Sequence, residues 1–285
     1  MLLFHDEGLA SSVGCDERQG VLQPCPGDTI SLVNLNIGHG RGNSLNQVFL
    51  GTSTISANLA RIAALLEKNN AGLVALQEAD RPSWWSGNID HVRWLSNRLS
   101  YPEAIHSTHS SSILFDFGTA ILSKFPVREI IHHAFSPSPP TLRKGFTLSR
   151  IRWPYQEAGS SSVTPVDIDV VSVHLDFSRE SVRTSQVREL VGKLANRNNP
   201  LILMGDFNVE WSDVGELLPK LARDLGLKAY RPEAVSMGTF PSNGRRLDWI
   251  LVSPEFSFVE YNVLPDIVSD HLAIGAVVAF RPIAK

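Results

Sequence analysis

The segment LILMGDFNVE, residues 201–210, is the stretch on which the prediction of this fold depends. Its apolar first half predicts a buried β-strand, and Asp206 and Asn208 follow where that strand ends. Apolar strands carry such polar groups to the edge of a sheet, where ligands bind. A buried carboxylate is costly by itself, so Asp206 needs a cation, a hydrogen-bond donor or water beside it.

The same pattern recurs in other strand-like runs along the chain. Polar residues lie within or beside these runs at Asn34 and Asn36 in LVNLNIG, Glu78 in VALQEAD, His174 in VVSVHLD, Asp248 in RRLDWILVS, and Asp270 with His271 in IVSDHLA. Taken singly, such a residue is more often a turn, a cap or a hydrogen-bonded scaffold residue than a ligand. Recurrence at six strand ends favours one shared site, because the ordinary explanation would have to hold each time.

Three amphipathic helices are predicted from apolar residues spaced three and four apart. The first runs from an N-cap at Ser56 to Asn69, with Gly72 beyond its end, the second covers residues 179–196, and the third begins at a cap on Ser212. Their buried stripes are Leu59, Ile62, Ala63 and Leu66, then Val187, Leu190, Val191 and Leu194, and finally Val214, Leu217, Leu218 and Leu221.

Strands outnumber helices in this sequence. They are predicted at residues 30–37, 73–78, 118–123, 145–153, 164–175, 201–208, 246–252, 257–263 and 272–280, with loops at 136–141 and 157–162. Several strands follow one another directly, which argues against a single parallel sheet of alternating strands and helices. The order favours mixed sheets with hairpins, packed face to face and covered by a few helices.

Composition sets broad limits on the kind of protein. The chain has 285 residues, of which 43% are hydrophobic, so one large domain fits as well as two small ones. Residues 1–27 read as an irregular segment, and the absence of a secretory signal or a bilayer-length apolar run favours a soluble, cytoplasmic protein. A net charge of −3 does not favour a polyanionic partner, although a local basic groove for nucleic acid is not excluded.

The cysteine count restricts the chemistry further. Cys15 and Cys25 are the only two cysteines, and two free thiols are favoured over a disulfide. Two cysteines cannot build a thiolate zinc site. The sequence also lacks the HExxH, GxSxG and GxxxxGK[ST] motifs of zinc proteases, serine hydrolases and nucleotide-binding loops.

The polar residues at the strand ends favour a particular class of metal. Asp, Glu and Asn offer hard oxygen ligands, which suit Mg²⁺ or Mn²⁺, and only two of these residues are histidines, which makes zinc less favoured. The turn GHGRG at 38–42 has backbone N–H groups that can contact a phosphate, but a plain turn is the favoured interpretation.

The ordered set LNI, LQE, VHLD, GDFN, LDWILVS and SDHL resembles the endonuclease/exonuclease/phosphatase superfamily, which includes deoxyribonuclease-like nucleases, abasic-site endonucleases, sphingomyelinases and inositol-phosphate phosphatases. The resemblance extends from about residue 30 to residue 280. It implies an α/β fold, a four-layer α/β/β/α sandwich of two mixed, largely antiparallel sheets flanked by helices, with residues 28–285 as a single catalytic domain.

The resemblance also implies roles for the residues that match its motifs. Glu78 corresponds to the principal metal ligand, with Asn36 and Asp270 near the metal. Asp206 corresponds to the carboxylate that orients or deprotonates the attacking water. The remaining matches are Asn208 as a group that positions water or a phosphate oxygen, Asp248 and His271 as a carboxylate–imidazole pair, and His174 as an imidazole that contacts the phosphate.

Two further groups are candidates for substrate binding. Arg143 and Lys144, in TLRKGFTLSR, could hold a phosphate, and a solvated hairpin is an equally good interpretation. Trp84 and Trp85 follow the Glu78 strand and could form a wall for an apolar or planar part of the substrate, with core packing slightly favoured as the alternative.

These residues predict a Mg²⁺- or Mn²⁺-dependent hydrolase of phosphate esters, with a phosphodiesterase as the favoured type. A small-molecule or lipid-head-group ester is favoured over nucleic acid, because the chain is slightly acidic and has no long insertion rich in lysine and arginine. A nuclease acting on DNA or RNA is the main alternative, and a zinc hydrolase and a non-catalytic binding relative are others. The oligomeric state and the choice between one and two metals stay open.

Overall fold

The computed structural model describes residues 17–18, 21–22, 27–43 and 50–283, the first two pairs by their backbone alone. Strands β1 (Glu17–Arg18) and β2 (Val21–Leu22) pair antiparallel. Most of the segment 1–27 that was predicted to be irregular, including Cys15 and Cys25, lies outside the described residues. The boundary before residue 28 therefore stays a prediction.

Two six-stranded sheets form the centre of the molecule. The first sheet contains, in spatial order, β13 (Phe256–Val263), β14 (Ile274–Phe280), β3 (Thr29–Asn36), β4 (Leu73–Asp80), β6 (Asp116–Ser123) and β5 (Glu103–Ser111). The second contains β11 (Lys228–Ala229), β12 (Asp248–Val252), β10 (Leu201–Asp206), β9 (Val163–His174), β8 (Gly145–Gln156) and β7 (Val127–Ala134). Among the described strands, β3 with β4 and β9 with β10 are parallel neighbours, and every other pairing within the two sheets is antiparallel.

Four helices within the described residues cover the outer faces of the two sheets. They are α1 (Thr52–Asn69), α2 (His91–Leu99), α3 (Glu180–Leu194) and α4 (Leu217–Leu225). Helices α1 and α2 share an apolar core with the first sheet, and α3 and α4 share one with the second. The predicted four-layer α/β/β/α sandwich of two mixed, largely antiparallel sheets is therefore confirmed. None of the described helices combines the length and the apolar composition needed to cross a bilayer.

Strand β10 explains why the segment 201–206 is apolar almost throughout. Ile202 and Met204 belong to the core between the two sheets, whereas Leu201 and Leu203 belong to the core under α3 and α4. Successive side chains of a strand point to opposite faces, and both faces of this strand are covered. The same alternation on β3 sends Leu32 toward the other sheet and Val33 toward the helices.

Two of the predicted helix starts are wrong. Helix α1 begins at Thr52 after an N-cap at Gly51, so Ser56 lies within the helix. Helix α4 begins at Leu217, and Val214, which was predicted to be buried, is fully exposed ahead of it. In α1 the burial of Ile55 extends the helix by a turn, because packing outweighs the weak propensity of its threonines and serines.

Several elements were not predicted. Helix α2 is capped by Asp90, whose side chain accepts the N–H of Arg93, and polar residues dilute its apolar stripe. Strand β5 buries Ser107 and His109 on its inner face, so its alternation has no apolar signature. Strand β7 lies at a sheet edge and is largely exposed or half-buried.

Strand register brings the polar strand ends to one edge of the sandwich. Asp206 pairs with His174 on β9 and with Asp248 on β12. Gly145 pairs with His174 from the other side, so Lys144 stands at the same edge. Strands β9 and β10 run parallel to each other and end at this edge. Strands β8 and β12 run antiparallel to them and begin at the same edge.

Buried polar contacts join the two sheets directly below that edge. Gln77 Nε2 donates to Asn34 Oδ1 and to Ser172 Oγ, each at 3.0 Å. Asn34 Nδ2 donates to the carbonyl oxygen of Gly205 at 3.4 Å, and Ser172 Oγ donates to that of Leu76 at 2.9 Å. These bonds fix the position of the first sheet against the second where the functional side chains project.

We predict that Gly205→Ala destabilises the protein and displaces the neighbouring Asp206. A Cβ atom on residue 205 would lie 2.1 Å from the carbonyl oxygen of Val173, a backbone atom that cannot move aside. We expect the free energy of unfolding, measured in urea, to fall by about 1–3 kcal/mol.

The matched control is Gly192→Ala on α3, where an added Cβ meets nothing within 4 Å. That change should leave stability unaltered or raise it by about 0.5–1 kcal/mol, since alanine restricts the unfolded chain more than glycine does. Equal stabilities of the two variants would contradict the close approach of β10 to β9.

Candidate active site

Glu78 occupies a β-bulge in strand β4. Gln77 pairs with Thr119 and Ala79 with Gly118 on β6, so Glu78 is an extra residue without a partner position. Its φ angle is 51°, in the left-handed region that non-glycine residues rarely adopt. Bulges re-aim side chains, and a backbone of this kind costs on the order of 1–3 kcal/mol, so it is kept where the surroundings require it.

Three basic side chains surround the Glu78 carboxylate. Lys144 Nζ lies 3.3 Å from Oε1 and His39 Nε2 lies 3.3 Å from Oε2, while His174 Nε2 is 3.9 Å from Oε1. Burial raises the pKa of Glu78, but electrostatic attraction to the nearby His39, Lys144 and His174 outweighs that effect, so the net shift is downward. Glu78 is therefore ionised across the physiological range.

Asp206 lies at the centre of the site. Its Oδ2 accepts Asn36 Nδ2 at 3.0 Å and Asn208 Nδ2 at 3.2 Å, with His174 Nε2 at 3.4 Å and His271 Nε2 at 3.8 Å. Burial raises the pKa of the Asp206 carboxyl to about 7, although the charge of His271 opposes that rise. A carboxyl group with this pKa can accept a proton near neutral pH.

Asn208 is held in place by its own backbone and by the residue that directly follows strand β9. Its φ angle is 53°, its N–H donates to Asp206 Oδ1 at 3.0 Å, and its Nδ2 also donates to the carbonyl oxygen of Leu175 at 3.1 Å. The short GDFN motif thus forms a turn in which Asn208 folds back onto Asp206.

Asp248 and His271 form the predicted carboxylate–imidazole pair. His271 Nδ1 lies 2.8 Å from Asp248 Oδ2, and Asp248 is fixed through its N–H, which donates to Thr239 Oγ1 at 3.1 Å. Burial lowers the pKa of His271, but the carboxylates of Asp248 and Asp206 overcome that effect and raise it to about 10. The ring is therefore an imidazolium beside Asp206.

Lys144 determines the tautomer of His174. Its Nζ lies 3.3 Å from His174 Nδ1, and an ammonium group can only donate, so Nδ1 is the acceptor. The ring proton is then on Nε2, which faces Asp206. Burial, followed by the charge of Lys144, keeps the pKa of His174 well below its ordinary value, so this ring is neutral.

Asp270 lies over the turn that follows Asn36. A Cβ on Gly38 would meet Asp270 Oδ1 at 3.0 Å, and the N–H of Gly38 donates to Asn36 Oδ1 at 3.0 Å. The buried guanidinium of Arg41 interacts electrostatically with both Glu78 and Asp270, while burial lowers its pKa. The three predicted metal ligands therefore border one region and do not lie on opposite sides of the molecule.

His39 is a site residue that the sequence did not reveal. It lies in the short 3₁₀ helix Gly38–Gly40 with a φ angle of 58°, and its Nδ1 is 2.9 Å from Oδ1 of the buried Asp80. Its ring stands edge-on to Phe117 and Trp85. The turn GHGRG was considered only for its backbone, whereas a histidine between two glycines just after Asn36 was the available signal.

The candidate substrate-binding residues have different positions. Lys144 is 6% exposed and lies inside the site, so the solvated-hairpin interpretation is wrong for it. Arg143 is exposed, and its carbonyl oxygen accepts Ser110 Oγ. Trp84 is more than half exposed, while Trp85 is half-buried against His39 and lies under Arg41 at 4.7 Å. The proposed roles of Arg143 and Trp84 stay predictions.

Two groups of side chains have the chemistry to hold a divalent cation. Asp206, Asp248 and His271 each present a ligand atom, and these atoms lie within 4.8 Å of one another. His271 is protonated in its pair with Asp248, however, and an imidazolium has no lone pair for a metal. Glu78 and Asp270, with the second lone pair of Asn36 Oδ1, supply the hard oxygens that Mg²⁺ or Mn²⁺ prefers. These residues fit such an ion.

A model of the Endonuclease/Exonuclease/phosphatase family matches residues 33–271. An endonuclease/exonuclease/phosphatase from Beutenbergia cavernae has a similar structure at 18% identity and a TM-score of 0.69, covering 89% of this chain and 72% of that one. The human Nocturnin catalytic domain is similar at 18% identity and a TM-score of 0.61, and the match covers 89% of this chain and 95% of that one. A mannosyl-6-phosphatase from Bacteroides thetaiotaomicron is similar at 17% identity and a TM-score of 0.61, and the match covers 88% of this chain and 100% of that one. A comparison with curated protein sequences finds no significant match.

We predict that His39→Ala weakens the binding of a divalent cation at Glu78. The substitution removes the ring that contacts both Glu78 and Asp80, so the carboxylate loses a group that orients it. We expect the Mn²⁺ affinity to fall roughly tenfold or more, as it does when a partner of a ligating group is lost. Electron paramagnetic resonance of free Mn²⁺ measures this without any substrate.

His133→Ala is the control, because it also removes a histidine from a contact with a glutamate, here Glu189 at 3.2 Å, outside the site. Its Mn²⁺ affinity should match that of the unmodified protein. An unchanged affinity in the His39 variant would remove His39 from the site.

Proposed function

We propose a specific reaction for this chain, which belongs to the endonuclease/exonuclease/phosphatase family: the Mg²⁺-dependent hydrolysis of a phosphodiester by a water molecule that Asp206 activates. Family membership supports a phosphoester hydrolase in general, with a divalent metal. The diester, the choice of Mg²⁺ and the residue roles are our proposal.

The arrangement around Asp206 carries the proposal. A buried carboxyl group with a pKa near 7 lies within 3.8 Å of a neutral imidazole, His174, and an imidazolium, His271. Asn36 and Asn208 donate to the same carboxylate oxygen and fix its orientation. A general base, a hydrogen-bond donor and a positive charge are therefore close enough to act on one phosphate.

The chain's own residues account for the proton transfers. Asp206 orients a water molecule and takes its proton as the water oxygen bonds to phosphorus. The bond from phosphorus to the leaving alcohol breaks, and His271 is placed to give that oxygen a proton. His174, through its Nε2–H, and Lys144 donate to the non-bridging oxygens as their negative charge grows. No covalent intermediate with the protein is needed.

Glu78, Asn36 and Asp270 would hold the metal. A bound Mg²⁺ or Mn²⁺ supplies positive charge that stabilises the phosphate oxygens in the transition state. Lys144 contacts Glu78 Oε1 and places its own positive charge beside this carboxylate, whether or not a metal is bound.

We predict that thorough chelation with EDTA abolishes the hydrolysis of bis-p-nitrophenyl phosphate and that Mg²⁺ or Mn²⁺ restores it. The reason is that Glu78 and Asp270 offer the hard oxygen ligands of a divalent cation, whose charge would stabilise the phosphate oxygens in the transition state. Release of p-nitrophenol measures the rate. Restoration by Zn²⁺ alone would favour a zinc hydrolase, and activity that survives chelation would overturn the metal requirement.

We predict that Asp206→Asn lowers kcat by roughly 10²-fold or more while the protein stays folded, because an amide cannot take the proton of water. Circular dichroism and the melting temperature check the fold. Asp167→Asn on the same strand as His174 is the control, since that carboxylate pairs with Arg152 at 2.9 Å outside the site. Near-normal turnover of the Asp206 variant would assign the base elsewhere.

The ester class is tested by a substrate panel with Mg²⁺: sphingomyelin, phosphoinositides, inositol phosphates, an abasic oligonucleotide and plasmid DNA. We expect a lipid or small-molecule ester to be cleaved in preference to nucleic acid, because the chain has a net charge of −3 and the cations at the site are few and buried. Preferred cleavage of plasmid DNA or of the oligonucleotide would make the protein a nuclease.

A further inference from the structure

The hairpin between β5 and β6 ends in two exposed apolar residues. Its last strand pair is Ser111 with Asp116, and the tip beyond it is closed by a bond from the N–H of Ser112 to the carbonyl oxygen of Phe115. Ile113 is 98% exposed and Leu114 is 52% exposed. Neither residue has a positive φ angle, so this turn accepts most residue types and does not itself require isoleucine and leucine.

Two adjacent loops add exposed apolar side chains. Leu142, in the β7–β8 loop, is 38% exposed, and Phe177, in the β9–α3 loop, is 64% exposed. Hydrogen bonds join these loops in a row: Ser110 of the hairpin donates to the carbonyl of Arg143, and Thr141 Oγ1 donates to Asp176 Oδ2. We call Ile113, Leu114, Leu142 and Phe177 the apolar rim.

The apolar rim borders the catalytic residues. Leu142 precedes the buried Lys144 by two residues, and Phe177 follows His174 by three. Both loops leave the sheets at the edge where β9 and β10 end, which is the edge that carries Asp206. Four of the exposed large apolar side chains therefore lie beside the site, and none of the four belongs to an apolar core.

Two exposed arginines accompany the apolar rim. Arg143 follows Leu142 directly, and the N–H of Arg81 donates to the carbonyl of Asp116 beside the hairpin at 2.8 Å. Neither guanidinium forms an ion pair with any residue in the described part of the chain. Apolar tips flanked by free positive charge match an interface that has anionic phosphates above an apolar interior.

We propose that the apolar rim docks on the surface of a lipid bilayer, with Ile113, Leu114, Leu142 and Phe177 entering the head-group region and Arg81 and Arg143 contacting lipid phosphates. The inference rests on the proposed function to the extent that it makes a membrane lipid the phosphodiester substrate. Docking would bring a head group to Asp206 while the acyl chains stay in the bilayer, so the substrate would not have to leave it.

The test is sedimentation of the full chain with vesicles of phosphatidylcholine, with and without phosphatidylserine. We compare the unmodified protein, a double variant Ile113→Asn/Leu114→Gly and a separate variant Phe177→Ser. Asparagine and glycine are common turn residues and both accept negative φ angles, so the double variant is designed to keep the hairpin folded. Val163→Ser is the control: Val163 is exposed at the first residue of β9, the opposite end of the strand from His174.

We expect the unmodified protein and the control to bind, more strongly with phosphatidylserine. The partition coefficient of the double variant should be lower by roughly tenfold or more, because two apolar side chains no longer enter the bilayer. Phe177→Ser should show a smaller decrease, because it removes only one. Both rim variants should hydrolyse soluble bis-p-nitrophenyl phosphate at the unmodified rate, which separates docking from chemistry.

Three outcomes would overturn the proposal. They are no vesicle binding by the unmodified protein, equal binding by the rim variants, and a lipid-free dimer that the rim substitutions dissociate, which would assign the apolar rim to a second copy of the chain. Loss of bis-p-nitrophenyl phosphate hydrolysis in all proteins would defeat the proposed function, whereas vesicle binding would still be measured independently.

Discussion

The carboxamide of Gln77 connects the two sheets, and the geometry of the site depends on this connection. Gln77 bonds to Asn34 on its own sheet and to Ser172 on the other, and Asn34 reaches across to the carbonyl of Gly205. Each anchor stands one or two residues before a functional side chain: Glu78 follows Gln77, and Asp206 follows Gly205. A slip of one sheet against the other would therefore separate Glu78 from Asp206 before it disturbed the apolar core.

Charge balance is the second constraint on the site. Asp206 is a buried carboxyl group and Glu78 a half-buried one, which is costly unless opposite charges and donors accompany them. Lys144 and His271 supply positive charge, and His174 stays neutral because burial, followed by the charge of Lys144 beside its Nδ1, lowers its pKa. Two imidazoles only a few ångströms from Asp206 thus differ in protonation, and the residue behind each ring determines the difference. Such a division allows one ring to donate a hydrogen bond and the other to supply charge.

The sequence singled out polar residues that the structure brings to one edge more readily than it predicted the peripheral elements of the fold. Asp206, His174 and Asp248 were recognisable because each interrupts an apolar run that must be buried, and strand pairing then aligns them. Strand β5 has the opposite character: it buries Ser107 and His109 in an inter-sheet hydrogen-bond network, so no hydrophobic alternation marks it. His39 was missed because its role depends on Asp80, 41 residues away, and on a turn conformation that no periodicity encodes.

Backbone strain is the feature that joins the fold to its chemistry. His39, Glu78 and Asn208 all have positive φ angles, of 58°, 51° and 53°, although none is glycine. Each such residue costs on the order of 1–3 kcal/mol, so three of them at one edge of the sandwich must be held by their neighbours. A bulge opposite β6 holds Glu78, and the two oxygens of Asp206 hold Asn208. Because the stability of the fold offsets this strain, the three side chains are already in position before a substrate binds. Substrate binding then does not have to rearrange them.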